Sequence, residues 1–104
     1  MRKYTRTHLW FEQKDDRTDI GITLQGNDAM QGITFVEVVR NTCITVESSK
    51  SCEDIPNEST GELLPYPLEI PLDLDKPVAY LPEGVVWKGE LLVEQEYKRY
   101  CESL

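Results

Sequence analysis

A chain of 104 residues is large enough for one small hydrophobic core and too small for an elaborate active-site cleft with its own cofactor fold. Apolar residues make up 39% of it, which predicts a folded single domain over residues 1–104 rather than a disordered chain. The formal net charge of −8 argues against nucleic acid or an anionic membrane as the main partner, because both favour clusters of lysine and arginine.

Short apolar stretches separated by charged turns predict strands in the amino-terminal part of the chain. Residues 1–7 are basic, and we expect them to be frayed at their start. Residues 8–12 form the first predicted strand, with Trp10 in the core, and a charged turn at 14–17 follows. Residues 20–24 alternate as in a strand with one buried face.

One short helical turn and a second group of strands follow. Gly26 interrupts residues 25–31, so we expect a single helical turn there, ended by Gly32. Ile33–Val39 is rich in β-branched residues and predicts a central strand. Residues 40–42 suit a tight turn, and residues 44–47 alternate as a half-buried strand.

Lys50 lies in the turn that comes next. Residues 48–51 include small polar residues that tolerate a turn, and apolar character resumes at Ile55 and at residues 61–64. The simplest local structure is a β-hairpin with Lys50 at its tip. Taken by itself, a lysine in an exposed turn is ordinarily a solubilising residue.

Proline shapes the stretch after this hairpin. Residues 62–82 contain five of the six prolines, which excludes long uninterrupted strands, although residues 68–70 and 78–80 can still pair at sheet edges. A turn at 82–84 then leads into a predicted strand at 85–93.

An amphipathic pattern closes the chain. Tyr97, Tyr100, Cys101 and Leu104 recur at helical spacing and form one apolar stripe. They predict a carboxy-terminal helix over residues 94–104 that must dock on the β-core, because isolated short helices are seldom stable.

Metal and enzyme constellations are absent from the sequence. The three cysteines, Cys43, Cys52 and Cys101, form no C-x-x-C pair, and His8 is the only histidine, so no zinc site is expected. There is no G-x-S-x-G segment, phosphate loop or apolar run of membrane-spanning length. An odd cysteine count without a signal peptide suggests a cytoplasmic protein, although a mitochondrial matrix protein without its transit peptide would look the same.

The spacing of residues around Lys50 resembles the lipoyl-attachment segment of the glycine cleavage system H proteins. The matching positions are Glu47, Ser48, Asp54, Ile55, Gly61 and Glu62. Further matches fall in the family's order through the rest of the chain, at residues 4–5, His8, Trp10, 21–23, Gly32, 35–37, Gly84 and Trp87. Residues 38–44 are shorter than the family's hairpin there. We therefore expect a trimmed β-structure that lacks roughly one strand pair, with edges that are covered or pair with another molecule.

This resemblance implies an all-β fold, a flattened barrel or sandwich hybrid of the biotinyl and lipoyl carrier type, with a short carboxy-terminal helix. It implies that a lipoate ligase or lipoyl transferase attaches lipoate to Lys50, with Glu47 and Gly61 supporting the site. We expect Gly61 on the facing arm of the hairpin, where a glycine permits a close approach between the arms. The protein would then be a non-catalytic carrier. It would pass an aminomethyl group and electrons between glycine decarboxylase, aminomethyltransferase and dihydrolipoamide dehydrogenase.

Two other interpretations stay open. One is a lipoyl carrier for another pathway, in lipoate relay, redox or sulfur metabolism, and the other is an unmodified interaction domain that keeps the fold without the arm. Cys52, close to Lys50, is either a redox-active thiol or a spectator.

Leu9 departs from the resemblance in a way that concerns the loaded arm. The family usually carries a glutamate at this position, thought to hold the aminomethylated arm against the protein. A carboxylate suits that role because it forms a charge-assisted hydrogen bond with a protonated amine. The mismatch predicts a poorly protected arm that Leu9→Glu would stabilise, unless another acid such as Glu12 or Glu69 substitutes.

Overall fold

The computed structural model describes residues 1–69 and 71–104. Strands in two sheets dominate it, with one short internal helix and one carboxy-terminal helix, as the all-β prediction requires. The strands are β1 (Arg2–Tyr4), β2 (Leu9–Gln13), β3 (Arg17–Ile22), β4 (Ile33–Val39), β5 (Cys43–Ser48), β6 (Cys52–Pro56), β7 (Leu64–Pro65) and β8 (Ala79–Pro82), and the helices are α1 (Leu24–Ala29) and α2 (Glu94–Glu102).

Both sheets are antiparallel. The larger has five strands in the order β1-β2-β3-β8-β7, and the smaller has three in the order β4-β5-β6. Residues 78–80 were predicted to pair at a sheet edge, but β8 lies inside the sheet, between β3 and β7. No proline lies in the middle of β8. Pro77 precedes the strand and Pro82 ends it, so Ala79, Tyr80 and Leu81 keep their amide hydrogens.

The core lies between the two sheets. Its large buried side chains come from alternate positions of facing strands, and they include Leu9, Phe11, Ile20, Ile22, Val36, Ile44, Val46 and Ile55. Trp10 is buried as predicted but is not part of this cluster, because successive residues of β2 point to opposite faces. The Arg2 guanidinium lies 4.0 Å from the centre of the Trp10 ring, and the indole N–H donates to the Leu74 carbonyl at 3.2 Å.

Ile33–Val39 forms a strand with the predicted bounds, but it is an edge strand and not a central one. β-Branched composition favours strand structure at either position, so it did not distinguish them. The free edge of β4 lies across a cavity of about 270 Å³ from Pro65, Tyr66 and Leu68. The edge therefore has chain segments beside it, as the shortened β-structure led us to expect.

Two backbone bridges replace the long strand predicted at 85–93. Trp87 bridges Ser59 and Leu92 bridges Tyr4, and no named strand lies between them. Gly89 lies between the two bridges, and a Cβ there would overlap the side chains of Glu58 and Trp87. The bridge to Leu92 also holds β1 in place, so the expected fraying of residues 1–7 does not extend to Arg2–Tyr4.

The turns and the other predicted boundaries agree with the structure in most places. Arg40 and Asn41 both have positive φ, and the Thr42 amide donates to the Val39 carbonyl at 2.8 Å, which defines a tight hairpin turn. The predicted strand at 20–24 ends two residues early, because Thr23 caps α1. No strand forms at Leu68 and Glu69, and residue 70 lies outside the described residues.

The carboxy-terminal helix docks through Tyr97, its buried residue. The Tyr97 ring stacks on Tyr4 of β1 with centroids 4.7 Å apart. The predicted stripe is longer than the buried face, since α2 ends at Glu102 and Leu104 is exposed. Leu104 lies beyond the end of the helix, so it does not share the helix face of Tyr97, Tyr100 and Cys101.

We expect Gly21→Ala to destabilise the protein through its contact with Trp10. Gly21 and Trp10 are partners across β2 and β3, and a Cβ on Gly21 would overlap the indole ring. The unfolding free energy, measured by urea denaturation, should fall by about 1 to 3 kcal/mol. In a Trp10→Leu background the same change should cost less. Equal losses in the two backgrounds would contradict this packing.

Candidate functional site

Lys50 lies at the tip of the β5–β6 hairpin, as predicted. The last register pair of the two strands is Glu47 with Cys52, and the Ser48 amide then donates to the Ser51 carbonyl at 2.8 Å. Ser49 and Lys50 are therefore the two residues that reverse the chain. The sequence favours this turn because small serines flank the lysine.

Ser48 holds the turn through its side chain. Its Oγ accepts hydrogen bonds from the backbone amides of Lys50, at 3.2 Å, and Ser51, at 3.1 Å. These bonds satisfy turn amides without using the lysine side chain. Lys50 is exposed, and within residues 1–69 and 71–104 its ammonium group makes no hydrogen bond or ion pair. The turn backbone is fixed and the lysine amine is free and exposed. Such an amine is accessible for amide linkage to a carboxylic acid such as lipoate.

Glu47 and Cys52 face each other on the outer side of the hairpin. The Cys52 Sγ lies 3.7 Å from Glu47 Oε1. Desolvation, and then the negative charge of Glu47, raise the pKa of the Cys52 thiol. Because the thiolate is the nucleophile, this shift disfavours reaction at neutral pH and supports the spectator interpretation of Cys52.

Gly61 does not lie on the strand facing Lys50, contrary to our expectation. The facing strand is β6, and Gly61 follows it, near the base of the hairpin. Its carbonyl accepts hydrogen bonds from Asn57 Nδ2, at 3.1 Å, and Ser59 Oγ, at 2.7 Å. Its φ is not in the left-handed region, and a Cβ would lie 3.1 Å from Val85 Cγ2. At about 3.3 Å per residue, β6 separates this base from the tip by roughly 15 Å.

A small cleft opens beside the hairpin tip. It has a volume of about 150 Å³ and runs from Ser51 and Glu53 to His8 and Met30. Glu53 faces it because Glu53 pairs with Val46 across the hairpin, and cross-strand partners share one face of a sheet. Val46 is buried, so this is the inner face. The cleft therefore combines an apolar wall with one carboxylate.

His8 forms part of the opposite wall. Its Nδ1 is 2.7 Å from the Tyr97 hydroxyl, which lies 2.8 Å from Thr23 Oγ1. This network joins β2, α1 and α2, and it accompanies a left-handed backbone at His8, with φ of 67°. Burial lowers the pKa of His8, although the Glu53 charge opposes the shift. Burial also raises the pKa of Tyr97, which keeps its hydroxyl protonated.

Leu9 is a wall residue of the same cleft and is fully buried in the core. A glutamate at this position would put a carboxylate among apolar side chains, where an unpaired charge is costly. Leu9→Glu would therefore also damage the core, and its effect on a loaded arm stays a prediction.

The two substitute acids considered from sequence lie elsewhere. Glu12 is paired with Arg2 and Lys14, and Glu69 lines a separate groove beside β4. Neither lines the cleft, whereas Glu53 does. Sequence reasoning missed Glu53, although a signal was present: Glu53 precedes Ile55 by two residues and therefore points to the same side of the strand, where it is exposed.

The two antiparallel sheets with a short carboxy-terminal helix define a class of fold, the small β-barrel or sandwich hybrid. The structure superimposes on a glycine cleavage system H protein from Mycobacterium marinum with a TM-score of 0.71 and 22% identity, covering 99% of this chain and 97% of that one. That likeness shows the fold. No protein-family model matches the chain.

Sequence relatives carry the assignment further. A probable glycine cleavage system H protein from Picrophilus torridus is 30% identical over 105 residues, which cover 93% of this chain and 73% of the relative. The glycine cleavage system H protein of Thermotoga maritima is 28% identical over 123 residues, covering 97% and 96%. The chain belongs to the glycine cleavage system H protein family. Since 123 aligned positions exceed its 104 residues, the Thermotoga maritima protein has insertions relative to it.

Two further observations concern the described residues 1–69 and 71–104. No cluster of three or more histidine, cysteine or acidic side chains in this part of the chain is arranged to hold a metal ion. No helix in it is long and apolar enough to cross a membrane.

The lowered pKa of His8 predicts a loss of stability in mild acid. The unfolded chain, with an ordinary histidine pKa of about 6.5, binds the proton more readily than the folded chain. The His8 contribution is therefore complete above about pH 6.5 and is lost as the pH falls from there toward the folded-state pKa.

Urea denaturation at pH 7.5 and pH 5.5 measures this effect. His8→Asn is the matched variant, because asparagine tolerates the left-handed backbone and does not titrate. The wild type should lose more stability than His8→Asn over this interval. A wild type whose stability changes no more than that of the variant would show that the His8 pKa is not lowered.

Proposed function

We propose that Lys50 carries lipoate in amide linkage and that the protein is the carrier of a glycine cleavage system. The observation that supports this most directly is the exposed Lys50 amine at the tip of a two-residue turn, in a chain of this family. Once attached, lipoate supplies a dithiol and disulfide couple that carries a one-carbon amine and two electrons.

In this proposal the protein positions the arm and catalyses nothing itself. Ser48 fixes the turn, and β5 and β6 carry it away from the core. Glu47, next to the turn, is a contact for the lipoate ligase or lipoyl transferase. Glycine decarboxylase, aminomethyltransferase and dihydrolipoamide dehydrogenase are the partners that the arm visits.

The relatives bear on the location of the protein, and its own net charge bears on its partners. They come from archaea and bacteria, which gives no support to a mitochondrial matrix location, and we propose the cytoplasm. The net charge of −8 favours partners with basic docking faces.

A carrier for another pathway is the second candidate. The observation that favours it is Leu9, an apolar side chain in the cleft wall where the family usually has an acid. Glycine decarboxylation and methylene transfer, assayed with the lipoylated protein and the partner enzymes, distinguish the two carriers. An unmodified interaction domain would instead fail to accept lipoate.

We expect lipoylation at Lys50 alone. Incubation with lipoate ligase, lipoate and ATP, followed by intact and peptide mass spectrometry, should give one adduct on that residue. Lys50→Arg should abolish it, and Lys98→Arg, which changes an exposed lysine on α2, should leave it unchanged. No adduct, or an adduct on another lysine, would exclude the proposed carrier function.

Gly61 is proposed to support the hairpin from its base. Gly61→Val should lower the unfolding free energy by about 1 to 3 kcal/mol through overpacking against Val85, and slow lipoylation with it. Val85→Ala makes room for the added methyl groups, so the double variant should recover both properties. Unchanged melting and modification in Gly61→Val would show that its match to the family is incidental.

A further inference from the structure

The outer face of the three-stranded sheet is acidic. Because Val36 and Val46 are buried partners, the residues on either side of them in β4 and β5, and their partners in β6, point away from the core. These outer-face residues are Phe35, Glu37, Val39, Cys43, Thr45, Glu47, Cys52, Asp54 and Pro56. All of them lie in the described part of the chain, and none is lysine or arginine. The outer face therefore carries three carboxylates and no cation.

These carboxylates form no ion pair within residues 1–69 and 71–104. Glu37 and Asp54 are exposed, and Glu47 is half-buried. Their side-chain contacts are weakly polar ones: the Thr45 hydroxyl donates to Asp54 at 2.8 Å, and the Cys52 Sγ lies 3.7 Å from Glu47. A basic surface on another molecule would therefore meet carboxylates that have no cation to give up.

An apolar groove runs along one side of the outer face. It lies between β4 and residues 68–69 and 71–72, and it has a volume of about 400 Å³. Phe35 and Leu68 line it, and these large apolar side chains are 45% and 37% exposed. Glu69 lines it as well. The groove beside β4 therefore combines exposed apolar walls with a carboxylate of its own.

The groove and the outer face both reach the turn that carries Lys50. Ile33, which lines the groove, pairs with Ser48 of the turn. The Thr34 hydroxyl donates to the Glu47 carbonyl at 3.2 Å, and Phe35 pairs with Glu47 at the usual strand spacing of about 5 Å. A molecule that binds the groove therefore also contacts the residues that flank Lys50.

We propose that the outer face and the groove beside β4 dock the enzyme that attaches lipoate to Lys50. An apolar side chain of that enzyme binds in the groove against Phe35 and Leu68, and basic side chains next to it contact Glu37, Glu47 and Glu69. The inference rests on the proposed function, because it requires lipoate on Lys50. It extends the contact at Glu47 to a surface that spans the sheet.

The position of this surface favours the attaching enzyme over the enzymes that the arm visits. An enzyme that forms the amide must bring its reaction centre to the Lys50 Nζ, one side-chain length from the turn, so its surface lies against the neighbouring strands. Enzymes that act on the dithiolane work at the far end of the arm, a full lipoyl chain further out. The charge of the docking enzyme follows from the outer face, since unpaired carboxylates favour a basic partner.

The groove and the carboxylates should contribute to docking in different ways. Large apolar side chains in desolvated pockets supply much of the affinity of an interface, whereas charges at its rim mainly change the rate of association. Loss of the Phe35 ring should therefore weaken docking at every salt concentration. Loss of the Glu37 charge should act mainly at low salt, where screening is weakest.

Steady-state lipoylation measures the contribution of the groove, with the unlipoylated protein as the varied substrate of lipoate ligase. Phe35→Thr, which keeps a β-branched residue in the strand and removes the ring, should raise the KM about tenfold and leave kcat nearly unchanged. Phe35→Leu, which keeps an apolar side chain in the groove, should recover most of the loss. Leu91→Thr, at a similarly exposed leucine next to the bridge to Tyr4, should match the wild type.

The salt dependence measures the contribution of the charges. Glu37→Gln should lower kcat/KM about threefold at low salt and make it less sensitive to added salt. Glu102→Gln, which removes the same charge at the end of α2, should change neither quantity.

Competition tests docking apart from the chemistry. Lys50→Arg cannot accept lipoate, so it should act as a competitive inhibitor of wild-type lipoylation. The double variant Phe35→Thr/Lys50→Arg should inhibit about tenfold more weakly. Thermal melting checks that each variant is folded. If Phe35→Thr is not folded, Leu68→Ser, on the opposite wall of the groove, takes its place.

The outcomes separate this inference from the proposed function. Wild-type KM, salt dependence and competition in the folded Phe35 and Glu37 variants would overturn the docking surface and leave the carrier function intact. A KM that rises only when the lipoylated protein is assayed with glycine decarboxylase would also overturn it, because the surface would then belong to a partner of the arm. No adduct on Lys50 of the wild type would overturn both proposals.

Discussion

The register of the β5–β6 hairpin is the constraint on which the candidate site depends. Side chains alternate between the two faces of a strand, so a slip of one residue would exchange the inner and outer sets. In the observed register, Glu53 shares the inner face with Val46, while Glu47 and Cys52 lie outside. Ser48 maintains this register at the tip by accepting hydrogen bonds from the turn amides. One turn thus fixes both the position of Lys50 and the character of the cleft beside it.

The other side of the cleft depends on a polar network that is distant in sequence. His8, Thr23 and Tyr97 meet through the Tyr97 hydroxyl, which ties the start of β2 to both helices. The short α2 is stable because Tyr97 is buried and stacked on Tyr4, which supplies the packing that an isolated helix of its length lacks. Besides covering the β-core, α2 therefore also orients His8 beside the hairpin.

Much of the local structure follows from residue patterns. The hairpin turn at Lys50, the tight turn at Arg40 and Asn41, the helical turn before Gly32 and the helix around Tyr97 all form near their predicted positions. Each is indicated by a pattern of residues that are close in sequence, although α2 also needs its contact with Tyr4. The pattern failed at 85–93, where the chain forms backbone bridges to Tyr4 and Ser59, both distant in sequence, instead of a regular strand.

The sequence by itself determined most of the strands and an exposed lysine at a hairpin tip, because turn chemistry and two-residue alternation are local properties. The all-β fold followed as much from the family resemblance as from this alternation. Sequence likewise pointed to the family, through spacings around Lys50. Only the tertiary structure decided that β4 is an edge strand, that Gly61 lies at the base of the hairpin, and that Glu53 rather than Glu12 lines the cleft. These features depend on how two sheets meet, and the cleft exists only where strands far apart in the chain pack together.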